Sequence, residues 1–204
     1  MRALPVGDHA LLVEVSSGEE AQALHAELLR RRAEGALSVR EIVPAARTVL
    51  LDGLDDPARL ASELAASEVP PAPPRARAAI EIPVRYDGPD LADVAALWGV
   101  DEREAVRIHA DTEFTVAFCG FAPGFGYLTG LPPRYDVPRR ATPRTAVPAG
   151  SVGLAGAYTG VYPRSSPGGW QLIGRTDVVL WDHARVPAAL LSPGTRVRFV
   201  PVGP

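Results

Sequence analysis

Lysine is absent from this chain of 204 residues, in which all 21 lysine-or-arginine positions are arginine. A Walker A loop, a Schiff-base enzyme, a biotin attachment site and a lysine general base each need a lysine side chain. The sequence therefore excludes these four chemistries, and any ATP that the protein uses is not held here by a standard P-loop.

Cysteine and long apolar runs are nearly as scarce. Cys119 is the single cysteine, so the chain makes no internal disulfide, which favours a cytoplasmic location. No apolar run reaches the roughly 18 residues of a membrane helix, and residues 1–15 lack the basic and apolar regions of a secretory signal. The formal net charge of -3 gives no overall field for nucleic acid or an anionic membrane surface.

Regular elements alternate along the first third of the chain. Ser17 and Glu20 form a capping box, after which Ala21, Leu24 and Leu28 recur at helical spacing. The predicted elements are a strand at 10–15, a helix ending near 34, strands at 39–43 and 48–51, and a helix at 56–66. This β-α-β-β-α order is typical of a small split-βαβ, or ferredoxin-like, domain.

A proline-rich segment at 69–79 favours an extended linker, because repeated proline denies both helix and ladder hydrogen bonds. It predicts a boundary between an N-terminal α/β domain, 1–79, and a second domain, 80–204. A strand at 80–86 either completes the first sheet or opens the second domain, and the sequence leaves both alternatives open.

Short β-prone runs punctuated by glycine and proline dominate the second domain. Two short helices come first, at 90–98 and after Asp101. The predicted strands then lie at 113–118, 151–155, 158–162, 170–174, 178–181 and 196–200. Such a series is typical of a closed or sandwiched all-β domain, so we predict a β-barrel and an α+β fold class for the whole chain.

Three aromatic residues surround a proline-glycine turn in the segment 121–128. Phe121, Phe125 and Tyr127 either wall a ligand cavity that the backbone approaches closely or plug one end of the barrel. These residues by themselves favour neither alternative.

Three arginines lie within six residues on a segment stiffened by proline. The planar donors of Arg139, Arg140 and Arg144 suit the oxygens of a carboxylate or a phosphate. A solvated basic loop is the alternative, and the pattern alone slightly favours that loop.

Two consecutive glycines follow Pro167. Gly168 and Gly169 allow backbone N–H groups to converge into an anion-binding nest, although a tight hairpin uses the same residues. Ser165 and Ser166 do not lie in a G-x-S-x-G elbow, which disfavours a serine nucleophile.

His109 is the strongest acid–base candidate among the four histidines, because it ends a helix just before the strand that leads into the aromatic loop. A structural role is the commoner one for a lone histidine. The histidine spacing gives no metal pair, so no metal site is predicted.

The run from His109 to Thr176 resembles the family of 5-oxoprolinase B subunits, whose members also carry the names KipI and allophanate hydrolase subunit 1. The motifs are GFAPGFGYL, PRR-x-x-PR, VPAGSVGLAG, TGVYP and SPGGWQLIGRT, and the resemblance extends upstream through EIPVRYDGPDLADVA to the GDHALLVEV start. It therefore covers essentially the whole chain.

The resemblance implies a small α/β domain followed by a cyclophilin-like β-barrel, the architecture of carboxyltransferase subdomains C and D. It also implies a close partner, the 5-oxoprolinase C subunit, and a third component, the A subunit. Together they couple hydrolysis of ATP, used with Mg, to the opening of 5-oxoproline into glutamate. The chain is expected to be inactive alone.

The resemblance also assigns roles to the motif residues. Arg139, Arg140 and Arg144 would hold a substrate carboxylate or phosphate, while Gly168 and Gly169 supply backbone donors. The predicted catalytic residues are His109, Arg144 and Arg175. The predicted substrate-binding residues are Phe125, Tyr127, Arg139, Arg140, Tyr162, Gly168, Gly169, Trp170 and Gln171.

Two other functions stay open at this point. Family members also act as inhibitors of a sporulation histidine kinase, for which the barrel serves as a binding module. Related complexes act on allophanate or another small amide. The dense arginine, glycine and aromatic set favours an enzyme pocket, whereas prolyl isomerase activity rests on the fold alone and is disfavoured.

Overall fold

The chain forms two compact units, Met1–Ala76 and Arg77–Pro204, in a computed structural model that describes residues 1–67 and 78–203. The fold is mixed α/β, with a nearly closed barrel-like sheet and few helices. Residues 69–77 of the predicted proline-rich linker lie outside the described residues. Across the two described ranges, no helix is both long and apolar enough to cross a membrane.

A four-stranded antiparallel sheet that packs against two helices makes up the first unit. Its elements are β1 (Arg2–Val6), β2 (Ala10–Glu14), α1 (Gly18–Ala33), β3 (Glu41–Pro44), β4 (Thr48–Asp52) and α2 (Pro57–Ala65). The strand order is β1-β2-β4-β3. Strand β4 therefore lies between β2 and β3, the two strands that α1 connects.

Helix capping and side-chain alternation explain these elements. The Ser17 hydroxyl accepts a hydrogen bond from the Glu20 N–H at 3.1 Å, which begins α1 where the capping box predicted. Asp56 caps α2 in the same way, and Pro57 occupies its first turn. Leu11 and Val13 on β2 are fully buried, so one face of the sheet supplies the core.

Strand β1 was not predicted from the sequence. Within the described residues it pairs with β2 alone, and all five of its side chains are exposed or half-buried, so it shows no alternation of burial. Pro5 is tolerated there because an edge strand needs N–H donors on one side only. The N-terminal strand β1 therefore occupies the outer position beside β2, and the predicted ferredoxin-like chain order is not confirmed.

A seven-stranded sheet dominates the second unit. The helices and strands of the second unit are β5 (Ile80–Val84), α3 (Leu91–Trp98), α4 (Glu102–Asp111), β6 (Phe114–Cys119), β7 (Gly126–Thr129), β8 (Arg144–Val147), β9 (Ser151–Ala155), β10 (Tyr158–Val161), β11 (Ser166–Gly168), β12 (Gln171–Arg175) and β13 (Arg196–Pro201). The order is β12-β9-β10-β7-β6-β13-β5, with β11 and β8 in a separate pair. Strand β5, which the sequence left unassigned, pairs with β13.

The two end strands of this sheet approach each other and nearly close it. Arg85 and Arg175 exchange both backbone hydrogen bonds at 2.9 Å. Further along the same seam, the Gly88 N–H donates to Ile173 at 3.2 Å and the Asp90 N–H donates to Leu172 at 3.0 Å. The segment 85–90 therefore joins β5 to β12, and the enclosed core includes Phe114 and Phe199.

One predicted strand, 178–181, is wrong. The segment forms no ladder apart from an isolated bridge between Trp181 and Ala189. The carbonyls of Val179 and Leu180 instead accept hydrogen bonds from the Arg185 guanidinium at 3.4 and 3.2 Å. The Leu180 carbonyl also accepts from the Leu190 N–H at 2.9 Å, so the Arg185 side chain and one isolated bridge take the place of the strand ladder that the apolar run suggested.

We expect Gly150→Ala to destabilise the protein by about 3 kcal/mol. Gly150 has a φ of 80°, and a Cβ there would lie far inside van der Waals contact with the Thr176 carbonyl oxygen. Gly156→Ala is the matched control, because Gly156 has a φ of 55° and no atom within 4 Å of its Cβ position. Gly156→Ala should lower the unfolding free energy, measured by urea unfolding, by only about 1 kcal/mol. Equal losses would contradict the steric explanation.

Candidate functional site

A buried carboxylate, Asp90, brings the predicted arginines together. Its Oδ1 accepts hydrogen bonds from Arg140 Nη1 and Arg144 Nη2, both at 2.7 Å. Its Oδ2 accepts from the Leu172 N–H at 2.6 Å. Asp90 is only 2% exposed, so it is a desolvated anion whose charge is compensated by two cations and a backbone donor.

The electrostatics of this cluster keep Asp90 ionised. Burial by itself raises the pKa of the Asp90 carboxyl, but the hydrogen bonds from Arg144 and Leu172 and the charges of both arginines outweigh burial. Its pKa therefore lies below the ordinary value. Arg140 and Arg144, which we call the arginine pair, stay half-buried with side chains 33% and 22% exposed.

Backbone contacts fix the segment that carries the arginine pair. The Arg140 N–H donates to the Gly169 carbonyl at 2.8 Å, and Gln171 Nε2 donates to the Pro138 carbonyl at 3.2 Å. Arg144 begins β8 and pairs with Gly168 on β11. Arg139, by contrast, is exposed and takes no part in the Asp90 contacts.

Two buried polar atoms, one on this segment and one on β12, lack a hydrogen-bond partner among the described residues. They are Arg140 Nε and Gln171 Oε1. Unpaired buried polar atoms are few in native proteins, so their occurrence together beside Asp90 marks this region as a candidate functional site.

Seven aromatic rings form a cluster next to the arginine pair, which we call the aromatic cluster. Phe125 lies at its centre, with ring centroids of Tyr127, Tyr162 and Trp170 at 5.0, 5.4 and 5.4 Å. Arg144 Nη1 points at the Trp170 carbonyl, 3.4 Å away. The full set is Phe118, Phe121, Phe125, Tyr127, Tyr158, Tyr162 and Trp170.

The aromatic cluster combines both alternatives that the sequence left open. Phe125, Tyr162 and Trp170 are at most 5% exposed and belong to the core. Tyr127 keeps a partly exposed ring, and Phe121 is 58% exposed with a φ of 65°, an uncommon conformation outside glycine. The buried rings are thus a plug, and only its outer members are available to a ligand.

Tyr162 links the aromatic cluster to the arginines. Burial raises the pKa of its hydroxyl, while a hydrogen bond from the Trp170 N–H and the charges of Arg139 and Arg144 act in the opposite direction. Its pKa therefore stays above the ordinary value, and the hydroxyl remains protonated at neutral pH.

Gly168 and Gly169 do not form the predicted nest in its αR–αL form. Neither has a positive φ, and Gly168 is a strand residue. Gly168 matters sterically instead, because its Cβ position overlaps the Tyr162 hydroxyl and lies 3.0 Å from Cζ of the same ring.

Gly168→Ala should therefore destabilise the protein by about 2 kcal/mol and displace the Tyr162 ring. At Gly169 the nearest atoms to a new Cβ are carbons of Pro143 at 3.7 Å, so Gly169→Ala should be nearly neutral. Urea unfolding of both variants measures the difference in stability. An unchanged unfolding free energy in Gly168→Ala would show that the Tyr162 ring moves aside without cost.

His109 lies in the barrel core rather than with the arginines. It is 0% exposed, its Nδ1 lies 2.8 Å from the Tyr86 hydroxyl, and its Nε2 lies 3.3 Å from Thr159 Oγ1. Burial lowers the pKa of His109 to about 3. This position favours the structural role over the predicted proton transfer, since a ligand does not reach the ring.

Arg175 lies at the other end of β12 from Gln171. The four residue-to-residue steps between them span about 13 Å of strand. Arg175 pairs with Asp87 at 2.7 Å, and its side chain is 62% exposed. It lines a separate surface cavity of about 460 Å³ with Arg85 and Thr176. The structure therefore does not bring Arg175 to the arginine pair.

Sequence reasoning assigned no ligand role to Asp90. The sequence placed Asp90 at the start of the helix 90–98, yet its side chain makes no capping hydrogen bond and turns to the arginine pair instead. No local sequence pattern indicates these contacts of Asp90, because its partners lie 50, 54 and 82 residues away. Among the described residues, no group of three or more histidine, cysteine or acidic side chains is arranged to hold a metal ion.

Comparison with known sequences identifies the family. The family described as "Carboxyltransferase domain, subdomain C and D" matches residues 1–191. The 5-oxoprolinase B subunit of Escherichia coli O157:H7 is 57% identical over 125 residues, 60% of this chain and 57% of that protein. That of Haemophilus influenzae is 50% identical over 127 residues, 61% of this chain and 60% of that protein. The matched segment thus spans less than two thirds of either relative.

Solved structures show the same architecture within longer chains. TTHA0988, in space group P6522, superposes with a TM-score of 0.76 at 36% identity over 97% of this chain and 40% of that chain. The K. lactis urea amidolyase gives a TM-score of 0.71 at 22% identity over 98% of this chain and 15% of that chain, which shows the fold alone. These matches confirm the resemblance that the motifs indicated: the chain belongs to the family of carboxyltransferase domains, subdomain C and D.

Proposed function

We propose that this chain is the B subunit of an ATP-dependent complex that opens 5-oxoproline to glutamate, with the substrate carboxylate bound by the arginine pair. The observation that carries the proposal is the convergence of Arg140 and Arg144 on the buried Asp90, beside the aromatic cluster. The names of the two curated relatives support the reaction class.

The chemistry of the substrate suits such a site. A guanidinium carries five N–H donors in a planar fork, and Asp90 uses one terminal nitrogen of each arginine. Arg144 Nη1 also faces the Trp170 carbonyl at 3.4 Å, and the remaining terminal donors are available to an anionic ligand, with Arg139 at the exposed rim. The flat lactam ring would lie against the exposed side of Tyr127. Because a lactam is unreactive, activation by phosphorylation explains the need for ATP.

The other components of the complex are part of the proposal. With no lysine in the chain, no P-loop holds the nucleotide here, and we leave its binding to the 5-oxoprolinase A or C subunit. The exposed apolar side chains Phe121, Val179, Trp181 and Val186 support a need for a partner, and the chain alone should be inactive. A cytoplasmic complex suits the free Cys119.

We also propose finer descriptions of the two units. The second unit would be a cyclophilin-like barrel. The first would be a split-βαβ sheet in which β1 replaces the strand that normally follows the second helix, a proposal supported by the order β1-β2-β4-β3.

The deciding experiment measures ATP-dependent glutamate release from 5-oxoproline by this chain co-purified with its candidate A and C subunits. Each of the three proteins is omitted in turn. Release that requires all three supports the proposal. An assembled complex that releases nothing from 5-oxoproline but hydrolyses allophanate or another small amide would move the assignment to that substrate. Failure to assemble would favour a regulator that binds a histidine kinase.

A further inference from the structure

We propose that Asp90 is the positioning residue of the arginine pair and that it sets the charge selectivity of the site to ligands with a single negative charge. The proposal deepens the proposed function, on which it rests only for the identity of the natural ligand. Its basis is the geometry of one carboxylate shared by two guanidinium groups.

Asp90 is more deeply buried than the arginines that it binds, and the backbone of β12 holds it. Its backbone N–H donates to the Leu172 carbonyl at 3.0 Å, and its Oδ2 accepts from the Leu172 N–H at 2.6 Å. Both contacts belong to the seam that joins the segment 85–90 to β12. The carboxylate is therefore built into the barrel wall, and it orders two long side chains that would otherwise be free to reorient.

The charge balance follows from the same contacts. Arg140 and Arg144 bring two positive charges to one place, and Asp90, kept ionised by them, offsets one of these charges. One net positive charge remains on the half-buried cluster. Arg139 is exposed to solvent, so screening leaves its charge with a smaller effect on selectivity than the charges of the half-buried pair. A monoanion neutralises the cluster, whereas a dianion leaves an uncompensated negative charge in a partly desolvated place.

The test compares two five-carbon probes, 5-oxoproline as the monoanion and glutarate as the dianion, by calorimetric titration of the assembled complex without ATP. The wild type should prefer 5-oxoproline. In Asp90→Asn the ratio of the two dissociation constants should shift by about tenfold toward glutarate, because one more positive charge is left on the cluster. Adding Arg140→Gln to Asp90→Asn restores one net positive charge and should move the ratio back.

Asp93→Asn is the matched control, since Asp93 is an exposed acid on the first turn of the adjacent helix α3. It removes the same charge and should leave the ratio unchanged. If Asp90→Asn does not fold, Arg140→Gln alone leaves the contacts of Asp90 with Leu172 in place and should shift the ratio away from glutarate. An unchanged ratio in a folded variant, or a wild-type complex that binds neither probe, would overturn the proposal.

The two experiments distinguish failure of the role of Asp90 from failure of the proposed function. Glutamate release by a complex whose ratio does not respond to Asp90→Asn would refute the role of Asp90 alone. A shifted ratio in a complex that releases no glutamate would refute the oxoprolinase function and leave the charge selectivity of the site established.

Discussion

Replacement of Arg144 by alanine is expected to lower kcat/KM of the assembled complex for 5-oxoproline by about a hundredfold or more. Arg144 supplies half of the arginine pair, and one of its terminal nitrogens faces the Trp170 carbonyl of the aromatic cluster. In the proposed function, its loss removes a charge-assisted donor to the substrate carboxylate and also neutralises the net charge of the cluster. Steady-state kinetics of glutamate release measure the effect.

Folding should survive this substitution. Asp90 keeps Arg140 at 2.7 Å and the Leu172 N–H at 2.6 Å, so its buried charge is still compensated. Arg103→Ala, at an exposed position on α4, is the control for the loss of one arginine. Arg144→Lys keeps the charge but not the planar fork, and we expect it to recover only part of the activity. Unchanged turnover in Arg144→Ala would remove this residue from the site.

The largest effect on stability should come from the titration of His109. The pKa of this buried imidazole is lowered to about 3 by burial, whereas an unfolded chain has the ordinary value near 6.5. Above pH 6.5 the ring is neutral in both states, and its contribution to stability is fully present. As the pH falls below 6.5, the unfolded state binds a proton that the folded state does not accept.

The free energy of unfolding should therefore decrease by about 1.4 kcal/mol per pH unit between pH 6.5 and about 3, roughly 5 kcal/mol in total, through His109 alone. His109→Gln keeps a polar amide at the position that faces the Tyr86 hydroxyl and Thr159 Oγ1 but does not titrate. The unfolding free energy of His109→Gln should fall less steeply as the pH decreases, because unfolding of the variant binds one proton fewer. Denaturant titrations at several pH values give both slopes.

The difference in pH slope between wild type and His109→Gln separates the contribution of His109 to stability from that of the carboxylates. Hydrogen bonds from Arg30 and Arg31, opposed by burial, lower the pKa of Glu27 to about 2, so Glu27 also loses stabilising charge in acid, but it does so in both proteins. His183→Gln, in an exposed loop, serves as the control. Parallel slopes for wild type and His109→Gln would show that the ring accepts a proton in the folded state and would reopen the case for proton transfer.

Local patterns predicted most of the regular elements because their causes are local. The cap of α1 depends on Ser17 and Glu20, three residues apart, and the stop of α3 depends on Gly99 in a left-handed conformation. Strands β9, β10 and β13 were found as β-prone runs between turns. The short strands β7, β8 and β11 were not predicted, because three or four residues that include glycine, proline or arginine show no alternation of apolar and polar side chains in the sequence.

The sequence by itself determined which chemical groups the chain can offer. It contains no lysine for nucleotide or cofactor chemistry, it places three arginines on a short stiffened segment, and its motifs indicate the family that the comparisons confirm. These conclusions depend on residue identity and on spacing along the chain, which the sequence states directly.

Only the tertiary structure decided which of these groups meet. Asp90 joins Arg140, Arg144 and Leu172 across 50, 54 and 82 residues of chain, while Arg175, within the same motif as Gln171, faces a different cavity. His109, in the helix that precedes the strand leading into the aromatic loop, is enclosed by the core. Proximity in a barrel is set by strand pairing between distant segments, so spacing along the chain cannot reveal which side chains share a site.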